Sequence, residues 1–248
     1  MRAVREGRSP SEAGSLEEQT PTAGPTPVCV VDYGVGNLAS LKRALERAGA
    51  RVTVVDRPQA LARTQCVVLP GVGAFAAAAD RLAHTGLGEA VQAAVGRGAW
   101  LLGVCLGMQL LFARSAEGPE SRGLGLLPGE VEQLFTAGRA PVDGSTGARL
   151  KVPHMGWNKV VAGAAGGAMF AGLDGAYFYF AHSYAVRTPA ASLVAGVTRY
   201  GGDVVAAVAR HTVWGVQFHP EKSSTAGELL LRNFLRAARA DGQREGRA

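Results

Sequence analysis

The sequence has no long hydrophobic run, few lysines and few cysteines. Spanning a bilayer takes about 20 consecutive apolar residues, so we expect no membrane-spanning helix. The three cysteines, Cys29, Cys66 and Cys105, lie far apart without a C-x-x-C pair, which argues against a disulfide framework and a zinc site. No apolar segment typical of a secretory signal follows the basic residues 1–8. These absences predict a soluble protein of the reducing cytoplasm.

Positive charge is present, but it is concentrated at one end of the chain. The net charge is +6 at neutral pH, with only four lysines. Five arginines lie between Arg232 and the C-terminus, against Asp241 and Glu245. The chain shows no basic stripe interleaved with aromatic residues, the pattern typical of single-stranded nucleic-acid binding. A solvated or partner-facing basic segment is therefore favoured over nucleic-acid or membrane binding.

The length and apolar content fit one domain with tails. The chain has 248 residues, 47% of them hydrophobic, which is enough for one sizeable core. Residues 1–26 are rich in Pro, Ser, Thr, Gly and Glu without apolar periodicity, which predicts a disordered extension. We expect the domain to span residues 27–240 and a flexible tail to follow over residues 241–248.

Apolar strands alternate with helical segments in the first half of the domain, and the second half is rich in strands. This alternation is typical of a parallel sheet covered by helices on both faces. The sequence thus predicts an α/β fold with a central, mostly parallel sheet and a β-rich C-terminal half. Strands are predicted at 28–31, 52–56, 66–70, 99–104, 177–186, 192–200 and 204–218, and helices at 38–48, after Pro58, after Gly73, at 106–113 and at 225–240.

A G-x-C-x-G pattern centred on Cys105 follows the strand that ends at Val104. It has the form of a nucleophile elbow with Cys in place of Ser. Glycines two positions on either side avoid collisions in so tight a turn, and the start of a helix favours a thiolate. The alternative is a buried, inert cysteine. Cys105 follows its strand, whereas Cys29 and Cys66 lie inside theirs, which favours the nucleophile.

A second motif supplies a base and its partner. His219 ends an apolar strand, and Glu221 follows two residues later, with Pro220 holding the segment extended. Because residues i and i+2 of an extended chain point the same way, Glu221 could orient the imidazole towards Cys105. His84, His154 and His211 are interpreted as structural or surface residues.

Acyl transfer also needs donors for a developing oxyanion. The backbone N–H of Leu106 follows the nucleophile directly and is one candidate. The loop Pro70-Gly71-Val72-Gly73 is the second, through Val72 and Gly73, because glycine lets the backbone approach a substrate. Without an elbow, this loop would be an ordinary strand-to-helix turn.

These motifs resemble those of the class I, triad-type glutamine amidotransferases. Gly103-Val104-Cys105-Leu106-Gly107-Met108-Gln109 is similar to the nucleophile motif of the family, and His219-Pro220-Glu221 to its second signature. The resemblance covers about residues 27–240. Four further segments are similar to one group within the family, the glutaminase subunits that serve a separate cyclase in histidine biosynthesis. They are residues 32–37, 70–75, 153–158 and 179–184.

The resemblance implies the three-layer fold of that family and a Cys105–His219–Glu221 triad. Cys105 would attack the side-chain amide of L-glutamine, and a thioester would be hydrolysed to glutamate. It also implies that the amino-acid end of glutamine is held by a further set of residues. They are Gly71, Gln109, His182, Ser183 and Tyr184. For His182, a strand-end histidine packed under the sheet stays an alternative to substrate contact.

The resemblance further implies a partner, because free ammonia in neutral water is mostly protonated. That partner would be a (β/α)8-barrel cyclase in a heterodimer, which forms imidazole glycerol phosphate and an aminoimidazole carboxamide ribonucleotide. The docking surface is expected near Asn37, Trp157, Asn158 and Lys222. Trp157 could instead belong to the core, and Lys222 could be merely solvated. No cofactor is implied, and no ligand cluster with metal-binding spacing is present.

Two rivals remain at this point. One is another Cys-elbow peptidase or hydrolase, which would need neither Gln109 nor the Trp157 segment and would work without a partner. The other is a catalytically silent regulatory module. The presence of Cys105, His219 and Glu221 together argues against a silent module.

Overall fold

The computed structural model describes residues 24–34, 36, 38–118, 122–135, 140–142 and 147–245. A nine-stranded sheet in the order β2-β1-β3-β4-β11-β10-β9-β6-β7 forms its centre, and β5 pairs with β8 in a small second sheet. The strands are β1 (Thr26–Val31), β2 (Ala50–Val55), β3 (Cys66–Leu69), β4 (Trp100–Val104), β5 (Glu130–Gln133), β6 (His154–Ala162), β7 (Tyr177–His182), β8 (Tyr184–Arg187), β9 (Val194–Arg199), β10 (Asp203–Arg210) and β11 (Val213–Val216).

The helices follow the strands of the first half and close the chain at its end. They are α1 (Leu38–Arg47), α2 (Phe75–Thr85), α3 (Leu87–Gly96), α4 (Leu106–Gln109) and α5 (Ser224–Glu245). Short 3-10 turns occupy Pro58–Leu61, Ala191–Leu193 and Pro220–Lys222. Within the described ranges, no helix combines the length and apolar character needed to cross a membrane.

The two faces of the large sheet bury two separate apolar cores. One face packs against α1 and α5, where Leu45 and Phe234 are fully buried beside Val30 of β1. The other packs against α2 and α3, where Phe75 and Val91 are fully buried. The strands between the cores are apolar on both faces because both faces are covered. The predicted α/β fold with helices on both sides of the sheet is confirmed.

The pairing of the strands changes in the middle of the large sheet. The strands β2, β1, β3, β4 and β11 run parallel to their neighbours, and the pairs from β11 to β7 are antiparallel. The carboxyl ends of β4 and β11 lie side by side in the parallel half. Ligands of open α/β sheets bind at such ends, and Cys105 and His219 follow these two strands.

The helix predicted at 106–113 is only one turn long. The backbone carbonyls of Leu110 and Leu111 accept hydrogen bonds from Leu124 and Leu126 instead of continuing a helix. Tertiary pairing therefore replaces the local helical pattern after Gln109. A one-turn helix has a small macrodipole, so the predicted electrostatic help from this helix at Cys105 is much reduced.

Two predicted strands are divided, and one predicted loop is a strand. The segment 177–186 breaks at Ser183, because β7 joins the large sheet whereas β8 joins the small one. The segment 204–218 turns back at His211, whose φ of 51° permits the tight connection from β10 to β11. Residues 154–158, expected in a loop, begin β6.

The described chain extends slightly beyond both ends of the predicted domain, residues 27–240. Residues 1–23 of the expected extension lie outside the described residues, and β1 begins at Thr26. The last helix continues to Glu245, five residues past the expected end of the domain at Ala240.

Candidate active site

Cys105 lies on a strained turn between β4 and α4. Its φ of 54° and ψ of −110° are unusual for a residue with a side chain, and such strain often marks functional positions. A Cβ atom on Gly103 would lie 2.6 Å from the carbonyl oxygen of Gly107, and one on Gly107 would overlap the carbonyl oxygen of Leu69. The predicted need for glycine on both sides of Cys105 is therefore confirmed.

The imidazole of His219 links Cys105 to Glu221. Its Nδ1 lies 2.9 Å from Oε1 of Glu221, and its ring lines the same cavity as Cys105. Burial lowers the pKa of His219, but the neighbouring Cys105 and Glu221 side chains more than offset this effect and raise the pKa to about 9. The two side chains are 4% and 3% exposed, so the pair is shielded from water. An imidazolium beside a nucleophile can donate a proton to a leaving group.

The backbone around His219 is fixed by β7. The His219 N–H donates to the carbonyl oxygen of Tyr179 over 2.9 Å. The buried hydroxyl of Ser223 donates to the carbonyl oxygen of His219 over 2.6 Å and accepts from the Tyr179 N–H over 3.0 Å. His219 is thereby attached to an antiparallel strand as well as to its own parallel strand.

The loop after β3 lies across from Cys105. Val72 and Gly73 line the same cavity as Cys105 and Leu106, where their N–H groups could serve an oxyanion. The hydroxyl of Tyr33 donates to the Pro70 carbonyl oxygen over 2.8 Å and so supports the loop from below. Burial, and then the nearby Cys105, raise the pKa of Tyr33, which keeps this hydroxyl a donor.

Gly71 is the residue at which this loop packs against Leu106 and Tyr33. It is buried, and a Cβ atom there would lie 2.8 Å from both the Leu106 Cβ and the Tyr33 hydroxyl. Glycine at this position lets the loop approach α4 closely. It does not line the cavity.

The cavity measures about 370 Å³ and brings together most of the predicted residues. This volume is within the range of small-molecule sites. Its walls are formed by Val72, Gly73, Cys105, Leu106, Gln109, Glu117, Pro153, Met155, Ala181, His182, Ser183, Tyr184, His219 and Lys222.

His182, the last residue of β7, lines the cavity as an uncharged ring at neutral pH. Its Nδ1 lies 2.8 Å from the Tyr184 carbonyl oxygen, which can only accept, and its Nε2 lies 3.0 Å from Nδ1 of His154. Burial is the main cause that lowers the pKa of His182, to about 4. His154, at the start of β6, is 1% exposed and stacks between Phe180 and Tyr200. His182 is thus both packed by the sheet and in contact with the cavity.

The far side of His154 reaches Asn158. His154 Nε2 lies 3.1 Å from Asn158 Oδ1, and Asn158 Nδ2 donates to the carbonyl oxygen of Arg199 over 3.0 Å. Burial lowers the pKa of His154, and the Asn158 oxygen partly opposes that effect. Asn158, predicted for the partner surface, therefore belongs to a hydrogen-bonded chain that begins at the cavity.

Sequence reasoning missed Glu117, a carboxylate in the wall of the cavity. Its Oε2 accepts a hydrogen bond of 2.7 Å from the Phe75 N–H at the start of α2. A half-buried carboxylate that lines a small cavity can bind a cation such as the ammonium of an amino acid. Glu117 follows Ser115 in a region without a recognisable motif, so the sequence offered no signal for it.

An apolar patch adjoins the cavity on the outer face of β6 and β7. We define the edge patch as Met155, Trp157, Tyr177 and Tyr179. The first three are 63%, 51% and 57% exposed, and Trp157 pairs across the strands with Tyr179. The Nζ of Lys222 lies 5.6 Å from the centre of the Tyr179 ring. Trp157 is thus on the surface rather than in the core. Asn37 lies outside the described residues.

Comparisons with known proteins agree with this geometry. A family model described as glutamine amidotransferase class-I matches residues 29–238. The imidazole glycerol phosphate synthase subunit HisH of Moorella thermoacetica is 45% identical over 217 residues, which cover 87% of this chain and 97% of that protein. The HisH subunit of Bacillus subtilis is 41% identical over 209 residues, covering 84% and 95%.

Solved structures share the fold at low sequence identity. A crystal structure of a glutamine amidotransferase has a TM-score of 0.64 at 22% identity, covering 85% of this chain and 98% of that one. A putative GMP synthase protein from Thermoplasma acidophilum has a TM-score of 0.66 at 19% identity, covering 90% and 99%.

The fold, the matched segment and the identities place the chain in the class-I glutamine amidotransferase family. Within that class, its high identity over nearly the whole length of its relatives places it with the HisH subunits of imidazole glycerol phosphate synthase.

Proposed function

We propose that this chain hydrolyses L-glutamine to glutamate and ammonia through a thioester on Cys105. The observation that carries this proposal is the strained turn that presents Cys105 to a cavity together with His219, whose Nδ1 lies 2.9 Å from Glu221. A nucleophile, a base and an orienting carboxylate in this order are what acyl transfer requires.

His219 carries the proton through both halves of the reaction. Cys105 attacks the amide carbon, and the C–N bond breaks as His219 donates a proton to the departing ammonia. The neutral imidazole then takes a proton from water, and the hydroxide formed attacks the thioester to release glutamate and restore the thiol group. Glu221 stabilises the imidazolium, in agreement with the pKa of about 9 for His219.

The oxygen of each tetrahedral intermediate would be bound by backbone donors. We assign the Leu106 N–H and the N–H groups of Val72 and Gly73 to this role, since all three residues line the cavity. Gly73 has a φ of 101°, a conformation that glycine adopts easily.

The amino-acid end of glutamine would lie between Glu117 and the β7–β8 connection. The Glu117 carboxylate suits the ammonium group, and Ser183, Tyr184 and Gln109 line the same cavity. Gly71 acts through the position of the loop rather than by contact. His182 contacts this end of the cavity as a neutral ring.

We further propose that the ammonia passes to a (β/α)8-barrel cyclase docked on the edge patch. The patch is apolar, exposed and continuous with the cavity through Met155, as expected of an interface rather than of free surface. Lys222 lies at the boundary of the two, where it could pair with an acidic residue of the partner. The cyclase would combine the ammonia with a phosphoribosyl-bearing substrate to form imidazole glycerol phosphate and an aminoimidazole carboxamide ribonucleotide.

This heterodimer would work in the cytoplasm. Cys29, Cys66 and Cys105 are all free thiols, and the reducing cytoplasm keeps thiols in this form.

Glutamate production by the chain alone and with the cyclase and its ligand tests substrate and partner together. We expect little glutamate from the chain alone and a large increase in the complex, with ammonia incorporated into product. Full activity of the isolated chain with no response to the cyclase would contradict the subunit role. No glutamate under either condition would contradict the glutaminase itself.

A further inference from the structure

The buried side chain of Gln217, a carboxamide like that of Gln109, lies next to the sulfur of Cys105. Gln217 follows β11, two residues before His219, and its side chain is fully buried. Its N–H donates to the Ala206 carbonyl oxygen over 2.8 Å, which fixes the backbone. A buried carboxamide costs free energy unless its polar atoms are paired, so its partners indicate what it does.

Those partners form one chain of hydrogen bonds that ends at sulfur. Gln109 Nε2 lies 3.0 Å from the Tyr184 carbonyl oxygen and 3.0 Å from Gln217 Oε1. Gln217 Nε2 lies 3.8 Å from the Sγ of Cys105. The chain thus connects the β7–β8 wall of the cavity with the reacting atom, through side chains 108 residues apart.

The direction of this chain is set by its first member. A backbone carbonyl only accepts, so the nitrogen of Gln109 must face Tyr184. The same nitrogen then faces Gln217, which must present its oxygen, and this leaves the nitrogen of Gln217 to face Cys105. Both N–H groups of Gln109 are used, so the polar atom that it has left for the cavity is its oxygen.

We propose that Gln217 is a positioning residue, which donates an N–H group to the sulfur of Cys105 and holds the carboxamide of Gln109 with its oxygen towards the substrate. This role deepens the proposed glutaminase function and rests on it. Donation to sulfur favours the charged nucleophile. The fixed oxygen of Gln109 would accept from an N–H group of glutamine and could not bind its carboxylate.

Two substitutions of Gln217 separate its donation to the Cys105 sulfur from its hold on the Gln109 carboxamide. Gln217→Glu keeps an oxygen for Gln109 but, when ionised, gives sulfur no donor and places a negative charge beside it. Gln217→Met has similar volume and removes both hydrogen bonds. Asn233→Leu is the matched control, because Asn233 is a buried carboxamide in α5 whose nitrogen donates to backbone carbonyls of Met169 and Ala171.

The first measurement is the rate of Cys105 alkylation by iodoacetamide as a function of pH, followed by mass spectrometry. For both Gln217 variants we expect alkylation at neutral pH to slow about tenfold, with the midpoint of the profile moved upward by about one pH unit. Asn233→Leu should lower the melting temperature and leave the profile in place. Steady-state kinetics should show a lower kcat for both Gln217 variants and a raised KM only for Gln217→Met.

An unchanged alkylation profile in folded Gln217→Met would overturn the proposal, even if its melting temperature fell. Should that variant fail to fold, the side-chain amide resonances of the ¹⁵N-labelled wild type decide. Alkylation of Cys105 should shift the Gln217 resonances and not those of Asn233; no shift at Gln217 would also overturn the proposal. Because alkylation does not require glutamine, a wild type that alkylates normally but yields no glutamate in the complex with the cyclase would instead contradict the proposed function.

Discussion

The two walls of the cavity are built from different kinds of strand pairing. The catalytic wall, with Cys105, Gln109 and His219, stands at the ends of the buried parallel strands β4 and β11. The edge wall, with Met155, Ala181 and His182, belongs to the antiparallel pair β6 and β7 at the margin of the sheet. One wall is packed on both faces, whereas the other has an exposed outer face.

This difference places the reacting side chains and the proposed partner surface on separate walls. A nucleophile and its base need fixed geometry, which a strand buried between two cores provides. A margin strand can offer an exposed face to a partner while residues at its end, here Met155 of β6 and His182 of β7, lie at the site. The hydrogen bond from the His219 N–H to the Tyr179 carbonyl oxygen joins the two walls. A residue of the edge patch is therefore bonded directly to the backbone of His219.

The largest expected effect on activity comes from substituting Cys105 in the catalytic wall. Cys105→Ala removes the atom proposed to form the thioester, so glutamate production in the complex should fall at least about 10⁴-fold. Circular dichroism and the melting temperature should stay close to those of the wild type. The assay is glutamate release by the complex with the cyclase at saturating glutamine.

Cys66→Ala is the matched control, since Cys66 is another buried cysteine, 1% exposed in β3. Burial and then Cys29 raise the pKa of Cys66 to about 12, so this thiol is inert at neutral pH. The control should lose about 1 kcal/mol of stability and keep its activity. Normal glutamate release from Cys105→Ala would remove Cys105 from its assigned role.

The second prediction contrasts the two histidines through the pH dependence of stability. In the edge wall, the pKa of His182 is lowered from 6.5 to about 4. Between these values the unfolded chain takes up a proton that the folded chain does not, so stability falls as pH drops through this window. The lost contribution is on the order of 3 kcal/mol.

In the catalytic wall, the sign is reversed. The pKa of His219 is raised from 6.5 to about 9, so its contribution is complete below pH 6.5 and is lost as the pH rises towards 9. Urea denaturation between pH 4 and pH 9 measures both slopes. His182→Gln should flatten only the acid side and His219→Gln only the alkaline side. Loss of the same slope in both variants would show that the walls are not electrostatically distinct.

The sequence predicted that Cys105 and His219 meet, and they do line one cavity, because the features that position them are local. The glycines around Cys105 and the proline between His219 and Glu221 fix backbone shape within a few residues, so a short pattern carries the geometry. The parallel half of the sheet followed in the same way from alternating apolar strands and helices.

The edge wall and the second layer of the site depended on contacts between distant residues. Glu117 is held by Phe75, 42 residues away, and Gln217 meets Gln109 at a separation of 108. No local pattern marks such pairs. The early end of α4 was missed for the same reason, because the carbonyls of Leu110 and Leu111, just after this helix, accept hydrogen bonds from Leu124 and Leu126.

The smallest expected effect tests the outer face of the edge wall. Trp157→Ala removes the largest exposed side chain of the edge patch, and an aromatic anchor of an interface contributes about 2 kcal/mol or more to binding. The Kd for the cyclase should therefore rise about 30-fold, as measured by isothermal titration calorimetry. Glutamate release by the isolated chain should not change, because Trp157 does not line the cavity.

Val161→Ala supplies the comparison on the same strand. Val161 is 54% exposed, close to the 51% of Trp157, and lies on the same side of β6, but at the end of the strand away from the cavity. If the cyclase docks at the edge patch, Val161→Ala should leave the Kd near the wild-type value. Equal weakening by both substitutions would extend the interface along the whole strand. No weakening by Trp157→Ala would move the docking surface away from this wall and leave its exposed aromatic residues without an assigned partner.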